Sequence, residues 1–461
     1  MQETKVSTIE KIQLVLWGIL FSVTPLYLLS YQMTSVILLI GLCCIFGIKN
    51  KTWILIIPLV FFVYPQQATE SIGSLERISV LVNYVPIVIS VIILFHGLNN
   101  NSIIIWKEKI GILFCAILLI MVSFSYSLMS NDKADVRYII FFIMLYVMYY
   151  YVVRKYKISC FLYFYALDIV FFVMSVYTVL EYFWNYSPYD SIYYALTKTD
   201  YYETTDFFRA KSLCGHPLLL VGFLTLYQTS LYTRLLVRKG RWLEFFCLFL
   251  SFVISSFTLS RTSYIIEIFI FVIWCGSYYQ KNIRRNLSTF IIIALLIVIV
   301  LNYSMEYLNL TLERFDNSET SEKNRLAAFQ VAFVIFQNEP YGVGVNLRNL
   351  FSFYRDQMSS EFTVDVLDNA FLAILCQYGV FSVFFFKMMA TPVIDTYRRI
   401  KENYYLRKAF WILTFSLLLL SFSFITTAYK SLLVLSASMF AVLCQLSPRE
   451  SVNNLNNNIK R

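Results

Sequence analysis

The stretch "DFFRAKSLCGHPLLLVGFLTLY", residues 206–227, sets two cations and a histidine (Arg209, Lys211 and His216) at the mouth of an apolar run. A bilayer-crossing helix takes about 20 residues, and this run is bound for that length. The same arrangement, a long apolar block behind short polar punctuation, recurs along the chain and marks a polytopic membrane protein. Composition agrees: 59% of the 461 residues are hydrophobic and 14% are charged, whereas ordinary soluble domains carry about 25% charged residues. The nine cysteines fall mostly inside apolar runs (Cys43, Cys44, Cys115, Cys247, Cys275) without metal or disulfide spacing, and read as small packing residues. Residues 12–29 are apolar for longer than a signal-peptide core and precede no small-residue cleavage site, so a retained signal anchor is expected.

Apolar runs lie at about 12–29, 33–47, 52–64, 78–97, 110–129, 138–153, 159–184, 212–233, 242–257, 262–280, 287–304, 369–387, 409–425 and 431–446. The expected fold is therefore all-α, a polytopic integral membrane protein of about 12–14 transmembrane helices, the second and third runs being short enough to form a re-entrant pair. Residues 1–446 form one membrane domain and 447–461 a polar tail. With the N-terminus inside, alternate loops collect Lys49 and Lys51, Lys107 and Lys109, Arg154 with Lys155 and Lys157, "RLLVRKGR" (234–241), "KNIRR" (281–285) and the basic segment 387–408. These and the termini hold about two thirds of the 38 Lys and Arg, so both termini are expected in the cytoplasm. The net charge of +10 is then mainly topological, and no nucleic-acid partner is needed to explain it.

Two long extracytoplasmic loops are expected, at about 185–211 and 305–367. The first is rich in tyrosine (Tyr186, Tyr189, Tyr193, Tyr194, Tyr201, Tyr202), as suits either an interfacial belt or a sugar platform. The second contains "SEKNRLAAFQVAFVIFQNEP" (321–340), where Leu326, Phe329, Phe333 and Phe336 share one face of an amphipathic helix. Ser321 is its expected cap and Pro340 its stop, and the helix should lie along the outer interface.

The cations that break the inside rule are the informative ones. Arg209 and Lys211 precede a span, Arg261 lies in the tight turn "TLSRTSY" (258–264), Arg325 opens the amphipathic helix, and Arg348 follows "YGVGVNL". Asp365 and Asp368 stand three apart before Asn369, on one helix face. Arg348, Arg355, Lys198 and Lys323 suit snorkelling or capping before a ligand role, which stays the alternative, and His96 reads as structural. A cation in a two-span hairpin is costly unless an anion meets it, which singles out Arg261. Asp168 and Glu267 are intramembrane carboxylates, suited to pairing within the bundle or to function. Arginine forks match phosphate oxygens and stay charged at any depth. A lipid-linked phosphate or pyrophosphate would bring such an anion to this level. No nucleotide-binding glycine loop is present, so bond-forming chemistry here needs a substrate with its own leaving group.

The ordered set "FFRAKSLCGHP" (207–217), "TLSRTSY" (258–264), "NRLAAFQVAFVIFQNEPYGVGVN" (324–346) and "DNAFLAILCQYGVFSVFFF" (368–386) resembles the O-antigen polymerase and O-antigen ligase superfamily of bacterial envelope glycosyltransferases. The resemblance covers about residues 205–390. It implies that Arg209, Arg261 and Arg325 hold the pyrophosphate of an undecaprenyl-linked saccharide. Where ligases tend to carry a histidine before the asparagine, this chain has Asp368 before Asn369, which leans toward a repeat-unit polymerase.

The implied reaction is a metal-independent inverting transfer with no cofactor, on the outer face of the bacterial cytoplasmic membrane. Asp368 is the first choice of base and His216 the second, with Lys211, Arg348, Asp365 and Asn369 as candidate substrate contacts. A flippase and a chain-length regulator of the same pathway are the implied partners besides the bilayer and the lipid-linked oligosaccharide. Three other readings remain open: a ligase that moves finished polymer to another acceptor, a flippase or transporter of lipid-linked oligosaccharide, and a non-catalytic scaffold.

Overall fold

The computed structural model describes residues 110–130, 134–156, 160–184, 209–237, 242–281, 319–344, 347–358, 369–423 and 430–447, with a few isolated positions near the N-terminus. Among these residues the chain is helical, with no strand. The helices are α1 (Ile110–Ser130), α2 (Ala134–Phe142), α3 (Tyr149–Tyr156), α4 (Cys160–Trp184), α5 (Pro217–Val237), α6 (Trp242–Ser256) and α7 (Arg261–Lys281). They continue with α8 (Glu319–Asn338), α9 (Leu347–Met358), α10 (Ala370–Tyr378), α11 (Ser382–Ile400), α12 (Tyr404–Ser423) and α13 (Lys430–Gln445). A π-helical segment, Ile143–Met148, joins α2 to α3, and a 3₁₀ turn, Gly379–Phe381, joins α10 to α11.

Every expected span that falls on described residues coincides with a helix, and five are long and apolar enough to cross a membrane: Gly111–Met129, Val136–Arg154, Leu162–Trp184, Ala370–Ile400 and Tyr404–Ser423. The protein is an all-α, multi-pass membrane protein. The expected spans at 12–29, 33–47, 52–64, 78–97 and 287–304, the tyrosine-rich segment 185–208 and the tail from 448 lie outside the described residues. Two boundaries move. The segment 387–408, expected as a basic loop, is mostly helix, because α11 runs on to Ile400 and α12 starts at Tyr404. A helix leaving the bilayer keeps its backbone bonds internal, so polar residues extend it at little cost. Asn403 caps the restart, its Oδ1 accepting the N–H of Tyr405 at 3.1 Å and of Leu406 at 3.2 Å.

Helix α5 is the centre of the bundle, in contact with α4, α6, α7, α12 and α13. Its polar side chains Thr225, Gln228, Thr229, Ser230, Thr233 and Arg234 are all buried. A helix enclosed by other helices meets no lipid, so it can carry polar residues that bond its neighbours. Gln228 Nε2 donates to both carboxylate oxygens of Glu267 on α7, at 2.9 and 2.8 Å. Arg234 forks onto Asp168 of α4 with two 2.8 Å bonds, and Tyr227 donates to the same carboxylate at 2.8 Å. Both intramembrane carboxylates thus meet partners inside the bundle. On the face where α3 and α11 end, Asp395 receives Arg154, Arg399 and Tyr150. Cys115, Cys214, Cys247, Cys376 and Cys444 are buried free thiols, as packing residues should be.

Helix α8 begins two residues before its expected cap, Ser321, and ends two before Pro340. Its protein-facing side is Ala327, Val331, Ala332 and Ile335, of which Val331, Ala332 and Ile335 cluster with Phe351 of α9 and Ala373 and Cys376 of α10. The bulky residues of the expected face point away, Leu326 being 62% and Phe333 61% exposed, with Phe329 also exposed. After α8 the chain turns through Pro340 and Gly342 and locks onto the end of α10. Val343 N–H donates to Cys376 O at 3.1 Å, and Val380 N–H to Pro340 O at 2.9 Å. Gly342 (φ +97°) and Gly379 (φ +53°) face each other there. A Cβ on Gly379 would stand 2.2 Å from Pro340 O, and one on Gly342 2.5 Å from Gln377 O. The Tyr126 hydroxyl of α1 also donates to the Tyr341 carbonyl.

Candidate functional site

Alternating helix direction puts the C-terminal ends of α4, α6 and α12 on one face with the N-terminal ends of α5, α7 and α10. The candidate site is assembled there from chain ends, where backbone groups lack helical partners.

The segment Arg209–Ser212 is laid between α4 and the α6–α7 turn. Ala210 N–H donates to Phe257 O at 3.1 Å, and Arg209 Nε donates to Thr258 O at 3.2 Å. Lys211 and Ser212 give their backbone N–H groups to the Glu181 carboxylate, and Ser212 Oγ donates to Met174 O at 2.9 Å. Arg209 stays half-buried at the surface of this layer, while Lys211 is 4% exposed. The sequence motif continues as a helix start built for its job. Gly215 (φ +73°) turns the chain, His216 is the cap, and Pro217 fills the first helical position, where no N–H is needed. His216 Nδ1 accepts the Leu218 N–H at 3.2 Å.

That cap sets the state of the ring. An accepting Nδ1 places the proton of a neutral imidazole on Nε2, so in this arrangement His216 presents a donor and no free lone pair. Burial, with Arg209 and Lys211 adding to it, lowers its pKa from 6.5 to about 4. Because the folded value is depressed, the unfolded chain binds the proton first as pH falls. His216's contribution to stability is therefore fully present above about pH 6.5 and is lost as pH drops toward about 4. Thermal unfolding in detergent across that window should show the decline. His216→Asn supplies a capping oxygen without a titrating group and should remove His216's share of it.

Arg261 is the first residue of α7, reached through the turn in which Leu259 takes φ +48°. The turn is tied internally by a 2.7 Å bond between Ser255 Oγ and Ser263 Oγ. Beside Arg261, Thr262 Oγ1 donates to Ser423 Oγ at the end of α12, at 2.9 Å. One residue earlier, Phe422 O accepts the Asn369 Nδ2 at 3.3 Å. Asn369 also caps α10, its Oδ1 accepting the N–H groups of Phe371 and Leu372 at 3.0 and 3.1 Å.

A continuous set of contacts therefore links Arg209 to the α6–α7 turn, that turn to the end of α12, and α12 to Asn369. Three of the four sequence motifs meet, although 160 residues separate Arg209 from Asn369. The fourth arrives through packing, since α8, which carries Arg325, rests on α10. The side chains of Arg325 and Arg348 lie outside the described residues, as do Asp365 and Asp368 entirely.

Glu181, Thr258, Phe422 and Ser423 were not singled out from the sequence. For Glu181 the signal was available: it is an acid near the end of an apolar run, in "TVLEYFW" (178–184), the same feature that drew attention to Asp168 and Glu267. For Phe257, Thr258 and Phe422 there was none, because they act through backbone carbonyls that any residue supplies.

The half-buried Arg209 and Arg261 stand at a helix N-terminal face, an arrangement suited to an anion. No curated protein matches the chain. Residues 246–386 match a family model described as O-antigen ligase. The matched stretch holds the Arg261 turn, α8 with Arg325, the paired glycines and the Asn369 cap, while the Arg209 motif precedes it. On that match and the ordered motifs, the chain is recognised as similar to the O-antigen ligase and polymerase superfamily of multi-pass membrane proteins.

Proposed function

We propose that the protein polymerises lipid-linked oligosaccharide repeat units into a bacterial surface polysaccharide, on the extracytoplasmic face of the cytoplasmic membrane. The observation that carries this reading is the convergence of the Arg209 segment, the Arg261 turn and the Asn369 cap at one end of the bundle. The acceptor hydroxyl at the non-reducing end of one lipid-linked repeat attacks the anomeric carbon of the growing chain. A new C–O bond forms as the bond to pyrophosphate breaks, with inversion, and undecaprenyl pyrophosphate leaves. Arg209, Arg261 and Arg325 meet its developing charge, which is worth most where water is scarce. The hydroxyl proton passes to Asp368, the acid beside Asn369. His216, protonated on Nε2 in its capping role, serves as a hydrogen-bond donor in this scheme rather than as the base. Lys211, Arg348 and Asp365 are its further saccharide or phosphate contacts, and Asn369 orders the helix start beside them. Pyrophosphate departs as a stabilised anion, so neither a metal nor a separate acid for the leaving group is invoked.

A second reading, which the family description brings with it, is transfer of finished polymer to a different acceptor by the same chemistry. Asp368 in the place of the histidine expected from ligases supports the polymerase. Purified protein supplied with a single lipid-linked repeat unit should produce a ladder of longer products. Product only when a second acceptor lipid is added would establish the ligase instead. Movement of the lipid across liposomes without new bonds would establish a flippase.

A further inference from the structure

Two of the contacts that hold the Arg209–Ser212 segment end on one atom. Oε2 of Glu181, in the last turn of α4, accepts the backbone N–H of Lys211 at 2.9 Å and of Ser212 at 2.6 Å. Glu181 is fully buried, at 0% exposure. A carboxylate in so dry a place is costly unless hydrogen bonds and charge offset it. The backbone is shaped to do so. Lys211 at φ −127°, ψ −11° is followed by Ser212 at φ +52°, which turns consecutive amides toward a common point, as in an anion-binding nest. The anion that fills this nest is the protein's own Glu181.

The next residue completes the arrangement. Tyr182 stacks on Phe257 with ring centroids 3.9 Å apart and planes 14° from parallel. The carbonyl of that same Phe257 accepts the Ala210 N–H. One turn of α4 thus grips both the segment that carries Arg209 and Lys211 and the turn that leads to Arg261.

We propose that Glu181 is a positioning residue for the donor pyrophosphate, setting Arg209 and Lys211 against the Arg261 turn. The proposal rests on the reading above that a polyprenyl pyrophosphate binds at this face. Glu181 does not touch the substrate in it. The residue acts by fixing where the Arg209 fork lies, and a misplaced fork loses bidentate binding.

The test measures binding of undecaprenyl pyrophosphate to the purified full-length protein in detergent micelles. Glu181→Ala should weaken binding by about tenfold or more, because the nest loses its acceptor. Glu181→Asp keeps the charge but withdraws it by one methylene, and serves if the alanine variant does not accumulate. It should also weaken binding, by about threefold or more. Glu181→Gln keeps one oxygen for both amides and should restore binding to within about threefold of wild type. In an Arg209→Ala background the Glu181→Asp change should cost clearly less than in the wild type, only the share that acts through Lys211 remaining, because coupled residues are not additive. A role confined to fold stability would lower the unfolding temperature and leave binding by the folded protein unchanged, overturning the proposal. Equal penalties with and without Arg209 would overturn it as well. Failure of the wild type itself to bind would instead remove the pyrophosphate reading on which it stands.

Discussion

Arg261→Ala is expected to abolish the product ladder, lowering turnover by about 10² to 10³, the loss typical of removing one preorganised charge stabiliser. The side chain begins α7 at the close of a turn held by Ser255, Ser263, Thr262 and Ser423. Those bonds are made by other side chains and remain when Arg261 is shortened, and abundance in the membrane is measured beside activity. Arg261→Lys keeps the charge and loses the planar fork. Its activity should lie between the two, because a point charge neutralises pyrophosphate without gripping two oxygens. The measurement is the length distribution of product per unit of folded protein. Full activity of Arg261→Ala at normal abundance would dismiss the anion site. Loss of protein together with activity would show that Arg261 belongs to the fold instead.

The second large effect is on stability. Gly379→Ala should destabilise the protein by on the order of 3 kcal/mol or more, through a backbone clash and a positive φ together. The added carbon would sit 2.2 Å from Pro340 O and 2.5 Å from Gly342 N, and backbone cannot rotate aside as a side chain can. Gly342→Ala meets the Gln377 carbonyl and should behave alike. Gly276, in α7, has nothing within 4 Å of such a carbon. Gly276→Ala should therefore be neutral or stabilising by up to ~1 kcal/mol, as expected for glycine replaced inside a helix. Unfolding temperatures of the three variants in one detergent provide the comparison. Equal temperatures would mean that the turn after α8 does not pack on α10 in solution.

These two glycines show how a sequence motif and its cause can differ. In the sequence, the glycines after Pro340 and at the end of α10 were part of a family resemblance, without a physical reason. In the structure the reason is close approach of two backbones, each glycine leaving room for the other. Helix α8 gives the opposite lesson. Period alone marked Leu326, Phe329, Phe333 and Phe336 as one apolar face, yet Ala327, Val331, Ala332 and Ile335 are the ones covered by protein. In a membrane setting both faces of a helix can be apolar, and packing selects the one whose shape fits its neighbours, here α9 and α10. Hydrophobicity cannot separate them.

The site was legible in its charges and illegible in its supports. Arg209 and Arg261 stood out because a cation beside an apolar run has few cheap explanations. Asn369 was read as a substrate contact, and its amide proves to cap α10 and hold the end of α12. Glu181 went unread although the same rule pointed to it. The carbonyls of Phe257, Thr258 and Phe422 could not have been read, since a backbone oxygen has no signature in the side-chain alphabet.

What the sequence by itself determined is the place of most described helices and the all-α membrane class. Lipid allows no unpaired backbone, so each apolar run must close its own hydrogen bonds as a helix. What only the tertiary structure decided is which helix ends share a face and touch. Arg209, the Arg261 turn and Asn369 meet through contacts between residues far apart in sequence, settled by how α4, α5, α7, α10 and α12 pack. Local composition says that a helix forms; which neighbours it meets depends on the fit of whole helix surfaces, and no short stretch contains that.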